Sequence, residues 1–248
     1  MSRRLDPIRP VFHWLRRHGL DIQSPRRRDA LNAMTVQRRL LAGGSPRVVL
    51  DCGAHHGRVA RDYLAAFPSA DVYSFEPTPA TFEVLKRNLA GVDRANPIRA
   101  AVGETEGELD FYIAPFEQAN SLLPRHPGRP EREQTAKVRV RRIDEFCREA
   151  KIDRVDILKL DVEGYEGPAL RGCGRMLDDG RIGIVLAETR FDSGGGINTT
   201  FPDLCALLLP RGYEFYGLYD PRHDGRLKFE WGDVMFVSNA LARMPQQP

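Results

Sequence analysis

The chain has 248 residues, 42% hydrophobic and 29% charged, with a formal net charge of +3. That is enough for one substantial soluble α/β domain with a short extension, and no run approaches the roughly eighteen apolar residues that span a bilayer. The basic start MSRRLDPIRPVFHWLRRHG lacks the apolar segment and small-residue cleavage site of a secretory signal, so the expected location is the cytoplasm.

The charge is uneven. Residues 1–50 hold eleven Arg and three Asp, a local net of +8, which leaves −5 for the rest. Such an arm can touch nucleic acid or anionic lipid, dock as a solvated helix beside the core, or meet a second subunit. No aromatic residues interleave with the Arg cluster at 26–28, which argues against nucleic acid, and a homodimer through this arm remains open. Residues 11–18 alternate apolar and basic groups at helical spacing, and residues 29–40 read as a second helix, capped by Asp29 or a nearby polar group. The organisation predicted is a basic helical extension over 1–44, one domain over 45–240, and a tail over 241–248.

The domain opens with the apolar run at 48–50, the turn DCGAHHG and a helix over 58–67. A second strand at 72–75 ends at Glu76, and Pro79 starts the next helix. IRAAVG at 98–103 reads as the third strand. Three βα steps in succession predict a parallel sheet covered by helices. Alternation at 107–114 and 137–143 then marks an insertion near 104–142, either an antiparallel pair or an extension of the sheet edge, around a polar loop at 124–133. The α/β rhythm returns with a helix at 144–151, a strand at 155–160 ending at Asp161, a short helix around PALRGC, a strand at 182–188 and a helix at 200–212. Runs at 213–219 and 232–238 look like a closing hairpin. Cys52, Cys147, Cys173 and Cys205 form no CxxC pair and read as reduced, buried thiols rather than zinc ligands.

The turn after the first strand points to a ligand, because glycine there lets backbone approach closely. Glu76 ends the second strand, where a carboxylate can accept both hydroxyls of a ribose. A pyrophosphate binder wants G-x-G-x-x-G opening onto a helix, whereas this chain has D-x-G-x-x-x-G. A carboxylate at Asp51 repels phosphates and suits the amino group of a methionine moiety, so S-adenosylmethionine is favoured over a nicotinamide dinucleotide. The plainer alternative is that Asp51 and Glu76 cap the helices that follow them.

VVLDCGAHHG, then FEP at 75–77, AVG at 101–103, ILKLDVEGYE at 157–166 and GDVMFV at 232–237 together resemble the FkbM-type methyltransferases across about residues 47–238. KLDVEG is the most specific of these segments. The resemblance implies a class I methyltransferase fold, Rossmann-like, with a seven-stranded mostly parallel sheet and a C-terminal antiparallel hairpin. It implies S-adenosylmethionine as methyl donor and O-methylation of a sugar, glycolipid head group or secondary metabolite. It places Asp51, Gly53, Ala54 and Gly57 at the methionine end, Glu76 with Pro77 at the ribose, and Ala101, Val102 and Glu104 beside adenine. Asn120 and Ser121 resemble a polar pair that contacts cofactor or substrate.

Methyl transfer from a sulfonium needs an aligned acceptor and removal of one proton, but no acid for the leaving group. Asp161 and Glu163, at the ligand edge of the sheet, are the candidate base or orienting groups, with Asp161 preferred. Glu188 ends the next strand, and like charges held close would raise one pKa. The same three carboxylates offer hard oxygen ligands for Mg²⁺, a reading kept open but not favoured over metal-free catalysis. His56, beside the methyl donor, is a further candidate; His55 reads as packing, and His126 and His223 lie in polar loops. Glu188 and Arg190 are candidate substrate contacts. Competing readings are an N- or nucleic-acid methyltransferase, opposed by KLDVEG where an N/D-P-P-Y tetrad would stand, and a non-catalytic partner protein that keeps the cofactor fold.

Overall fold

The computed structural model describes residues 32–42, 46–114, 120–124, 134–191, 198–223 and 229–244. The expected helix at 11–18, Asp29, His126 with most of its loop, and the end of the tail lie outside the described residues. Helix α1 (Ala33–Leu40) is capped by Asn32, whose Oδ1 accepts the Met34 and Thr35 amides at 2.8 and 3.2 Å. Val36, Leu40 and Leu41 at its end are buried against Ala60 and Tyr63, so this part of the extension is packed into the domain.

The main sheet follows in chain order. β1 (Val48–Cys52) leads to α2 (Arg58–Ala66), β2 (Asp71–Phe75), α3 (Pro79–Asn88) and β3 (Ala95–Ile98). After the insertion come α4 (Ile143–Glu149), β7 (Val155–Leu160), the short helices α5 (Glu166–Arg171) and α6 (Gly174–Asp178), and β8 (Ile182–Arg190). Helix α7 (Phe201–Leu208), β9 (Tyr213–His223), β10 (Phe229–Ser238) and α8 (Asn239–Ala242) finish the domain. Spatial order is β3-β2-β1-β7-β8-β10-β9, with β10 antiparallel to its two neighbours and the other pairs parallel. This is the seven-stranded class I arrangement, with the closing hairpin folded back so that its second strand is the inner one.

Strand alternation divides the core between the two faces. Leu50, Cys52, Leu158 and Leu160 pack under α4 to α7, while Val49, Ile157 and Ile184 pack under α1, α2, α3 and α8. All four cysteines are buried and free. Among the described residues no helix is long and apolar enough to cross a membrane.

One expectation needs correction. IRAAVG is not a single strand: β3 ends at Ile98, and Ala101–Val102 forms β4 in a second sheet. Small apolar residues hide the bend, which is set by the Ala100 amide bonding to the Ile98 carbonyl at 3.0 Å. The second sheet, ordered β4-β6-β5, joins β4 to the insertion hairpin β5 (Gly107–Ile113) and β6 (Gln134–Arg141). The insertion is thus a separate antiparallel pair, standing over the carboxyl ends of the main strands rather than widening the sheet.

Candidate active site

Because β1, β2 and β7 run parallel, their carboxyl ends deliver Gly53, Glu76 and Asp161 to one edge. A cavity of about 380 Å³ opens there, lined by Gly53, Ala54, His56, Glu76, Pro77, Ala101, Val102, Asn120, Asp161 and Glu163 among others. Gly53 has φ +83°, and a Cβ on it would strike the carbonyl oxygen of Asp161. The turn therefore lies flat on the end of β7 and leaves the room above it for a ligand. Glu76 is nearly buried, and its carboxylate accepts the His55 amide at 3.2 Å and the Thr78 amide at 2.9 Å. These backbone bonds fix the direction of the carboxylate at the end of β2. Phe75, Ala101, Val102 and Phe111 supply an apolar slot beside it.

Four expected cofactor residues do not line this cavity. Asp51 is fully buried beneath it, with Lys159 Nζ 3.5 Å from its Oδ1. Gly57, at φ +82°, is instead a packing glycine, since a Cβ there would press on Leu85 at 2.7 Å. Glu104 turns outward to Arg171 at 2.7 Å. Ser121 is a brace: its hydroxyl donates to the Glu163 carbonyl at 2.8 Å and accepts the Leu123 amide at 3.1 Å. His56 lines the cavity with its ring stacked on His55, centroids 3.8 Å apart.

A second cavity of about 260 Å³ adjoins the first, lined by Glu163, Glu166, Glu188, Arg190, Asn198, Thr199 and Trp231 among others. Glu163 borders both. Its backbone is left-handed at φ 54°, a conformation that costs a side-chain-bearing residue about 1–3 kcal/mol. The turn holding it is overdetermined: Glu166 accepts the Val162 and Gly164 amides at 3.0 and 3.3 Å, and Thr199 donates to the Gly164 carbonyl at 2.9 Å. Arg190, the expected substrate contact, is bonded to Glu230 at 3.1 Å.

Negative charge accumulates where the cavities meet. Asp161, Glu163 and Glu188 each bring a carboxylate oxygen within 4.8 Å of the others, close enough to share a cation. Asp233 on β10 lies directly opposite Glu188 on β8, a like-charge pairing that sheets normally avoid. Lys159 is the buried cation among them, with Nζ 3.0 Å from Asp161 Oδ2. Burial, aided by the neighbouring carboxylates, pushes Glu188 up to about 9 and Asp233 up to about 6. Burial also raises Glu166 to about 8 against the pull of the backbone amides of Glu166, Val162 and Gly164. Lys159, Trp231 and Asp233 were missed by the sequence reading. Only Lys159 carried a signal, since strand alternation puts it on the face of Asp161.

These shifts set a pH dependence. Above about pH 4 the folded chain retains protons that the unfolded chain has released, on Asp233 to about pH 6, on Glu166 to about pH 8 and on Glu188 to about pH 9. Their stabilisation is complete below about pH 4 and fades as pH rises through the folded values. The ligand-free protein is therefore expected to melt lower at pH 8.5 than at pH 5.5. Glu188→Gln should flatten that slope, gaining at high pH roughly 2–4 °C for each kcal/mol recovered. A melting temperature that rises over this interval would contradict the assignment.

Comparison with known proteins points to one family. The methyltransferase FkbM domain matches residues 51–215. The 2-O-methyltransferase NoeI of Sinorhizobium fredii is 27% identical over 139 residues, covering 50% of this chain and 56% of that protein. Methyltransferase sdnD of Sordaria araneosa is 28% identical, covering 67% of this chain and 73% of that one. The hexuronic acid methyltransferase AglP of Haloferax volcanii is 30% identical, with 65% of this chain and 64% of the relative covered. The chain thus spans between about half and three quarters of the length of these relatives.

Proposed function

The chain belongs to the FkbM methyltransferase family, and from that premise we propose that it transfers a methyl group from S-adenosylmethionine to a hydroxyl of a sugar, glycolipid head group or secondary metabolite. The observation that carries the cofactor is the charge of the edge. With Glu188 protonated, Asp161, Glu163 and Asp233 above the buried Asp51 still outnumber Lys159, so the site favours a ligand with net positive charge and repels a pyrophosphate. S-adenosylmethionine supplies its methyl on a sulfonium and departs as a neutral thioether. Glu76 orients the ribose, and the Phe75–Val102 slot excludes water from the adenine.

The second cavity is the acceptor side. Trp231 offers an apolar ring, and Glu163 and Asn198 offer hydrogen-bonding groups to an acceptor. The names of NoeI and AglP support a sugar hydroxyl. Glu163, bordering both cavities, takes the proton from the attacking hydroxyl, and the protonated Glu188 stands beside it in the same cluster. His56 stays on the cofactor side. The four thiols remain reduced in the cytoplasm, where we place the protein.

Calorimetry with S-adenosylmethionine, S-adenosylhomocysteine and NAD tests the cofactor. The expected result is micromolar binding of the two adenosyl compounds and none of NAD. Turnover of labelled S-adenosylmethionine against methyl hexosides and hexuronides is then followed with EDTA and with Mg²⁺. An unchanged rate in EDTA supports metal-free transfer, whereas loss restored by Mg²⁺ assigns Asp161, Glu163 and Glu188 to an ion. Absence of adenosyl binding by a folded sample would sink the enzyme reading.

A further inference from the structure

Lys159 occupies the second-last position of β7, paired in register with Asp51 on β1. Its side chain is 9% exposed, and taking an ammonium out of water costs several kcal/mol unless opposite charges meet it. Here two do. One N–H bonds to Asp161 Oδ2 at 3.0 Å and another faces Asp51 Oδ1 at 3.5 Å. Burial opposes the charge on Lys159, yet Asp161 and Asp51 together raise its pKa above the ordinary lysine value, so it stays an ammonium. A lysine has three donors, and the third has no partner among the described residues. Lys159 also lines the larger cavity, next to Gly53, Ala54 and His55.

We infer that Lys159 donates its third N–H to the α-carboxylate of the methionine moiety, while Asp161 beside it receives the α-ammonium. This rests on the methyltransferase reading above. An alternating series results: the sealed Asp51, whose carboxyl burial pushes up against the pull of Lys159, then the Lys159 ammonium, then the 41% exposed Asp161. A zwitterion laid across the last two meets an opposite charge at each end. Asp51 then serves the cofactor at one remove, as the counter-charge that keeps Lys159 ionised and aimed. The other cation in the cavity wall is Arg58, exposed on the first turn of α2, with solvent to screen it.

The test uses the full chain and two adenosyl compounds, S-adenosylhomocysteine and its decarboxylated counterpart, which keeps the amine and lacks the carboxylate. Calorimetry on the wild type is expected to show roughly 10–100-fold weaker binding of the decarboxylated compound, the worth of one charge-assisted bond. Lys159→Met should weaken S-adenosylhomocysteine by a similar factor and leave the decarboxylated compound nearly unchanged, so the discrimination vanishes. Lys159→Arg should retain part of it. Because Lys159→Met strands Asp51 as a buried charge, Asp51→Asn/Lys159→Met removes that burden and repeats the comparison in a folded protein. If either folded variant keeps the full discrimination, or if Arg58→Met alone abolishes it, the assignment of Lys159 is overturned. Should the folded wild type bind neither compound, the methyltransferase reading falls and takes the assignment with it. Binding of S-adenosylhomocysteine without discrimination overturns the assignment alone.

Discussion

Gly53→Ala is expected to weaken S-adenosylhomocysteine binding by at least about 100-fold, equivalent to roughly 2.7 kcal/mol. Two effects combine. A residue with a Cβ pays about 1–2 kcal/mol in the left-handed region that Gly53 occupies at φ +83°. The added carbon also lands on the Asp161 carbonyl, with the carbonyl carbon only 2.8 Å away. The turn has no room to swing aside: the Gly53 and Ala54 amides are both held by the Phe75 carbonyl at 3.0 and 2.9 Å, and the Asp161 amide by Cys52 at 3.1 Å. Either those bonds break or the end of β7 moves, carrying Asp161 and Lys159 out of place. Gly91→Ala is the matched control. Its φ is +78° but a Cβ there meets nothing within 4 Å, so it loses only the backbone share and should bind S-adenosylhomocysteine as the wild type does. Calorimetry on the two variants separates strain from collision. Binding by Gly53→Ala within threefold of wild type would show that the turn does not lie against the ligand as described.

Much of the fold was legible because its signals are local. Val49 and Leu50 face opposite cores by simple alternation, and Asp51, Glu76, Asp161 and Glu188 each close a run of apolar residues. Parallel strands then bring those acids to one edge, so the position of the site followed from the pattern. What was not legible depends on register and on pairing across long stretches of chain. Nothing near Glu104 announces Arg171, 67 residues away. Ser121 looks like a ligand contact until its hydroxyl is found on the Glu163 carbonyl, 42 residues on. Asp233 meets Glu188 because β10 is inserted between β8 and β9, and the hairpin sequence alone does not say which of its strands lies inside. Asp51 was correctly read as an acid at a strand end, but its depth was invisible. The strand reaches one residue beyond it, to Cys52, and so the carboxylate sits below the cavity floor.

The proton needs a destination, and the strongest kinetic effect is expected there. Glu163→Gln should lower kcat by about 10²–10⁴-fold, the usual worth of a positioned base, with S-adenosylhomocysteine affinity nearly unchanged. Glutamine fills the same space and can still accept a hydrogen bond from the acceptor hydroxyl, but it cannot take the proton. The protein holds Glu163 in a costly left-handed backbone and braces the turn with Ser121, Glu166 and Thr199. That expense is consistent with a side chain that must point between two cavities. Glu188→Gln is expected to act differently. Its carboxyl is pushed to about 9 and so carries a proton at neutral pH, which it can share with Glu163 within the same cluster. Removing its titration should cost less in kcat and should shift the pH profile, since the like charge that opposes ionisation of its neighbour is gone at high pH. Measured together, the two variants distinguish the acceptor of the proton from the group that tunes it. If Glu163→Gln keeps more than a tenth of kcat while Asp161→Asn loses it with cofactor affinity intact, the proton goes to Asp161. The bond from Lys159 would then serve to aim a base.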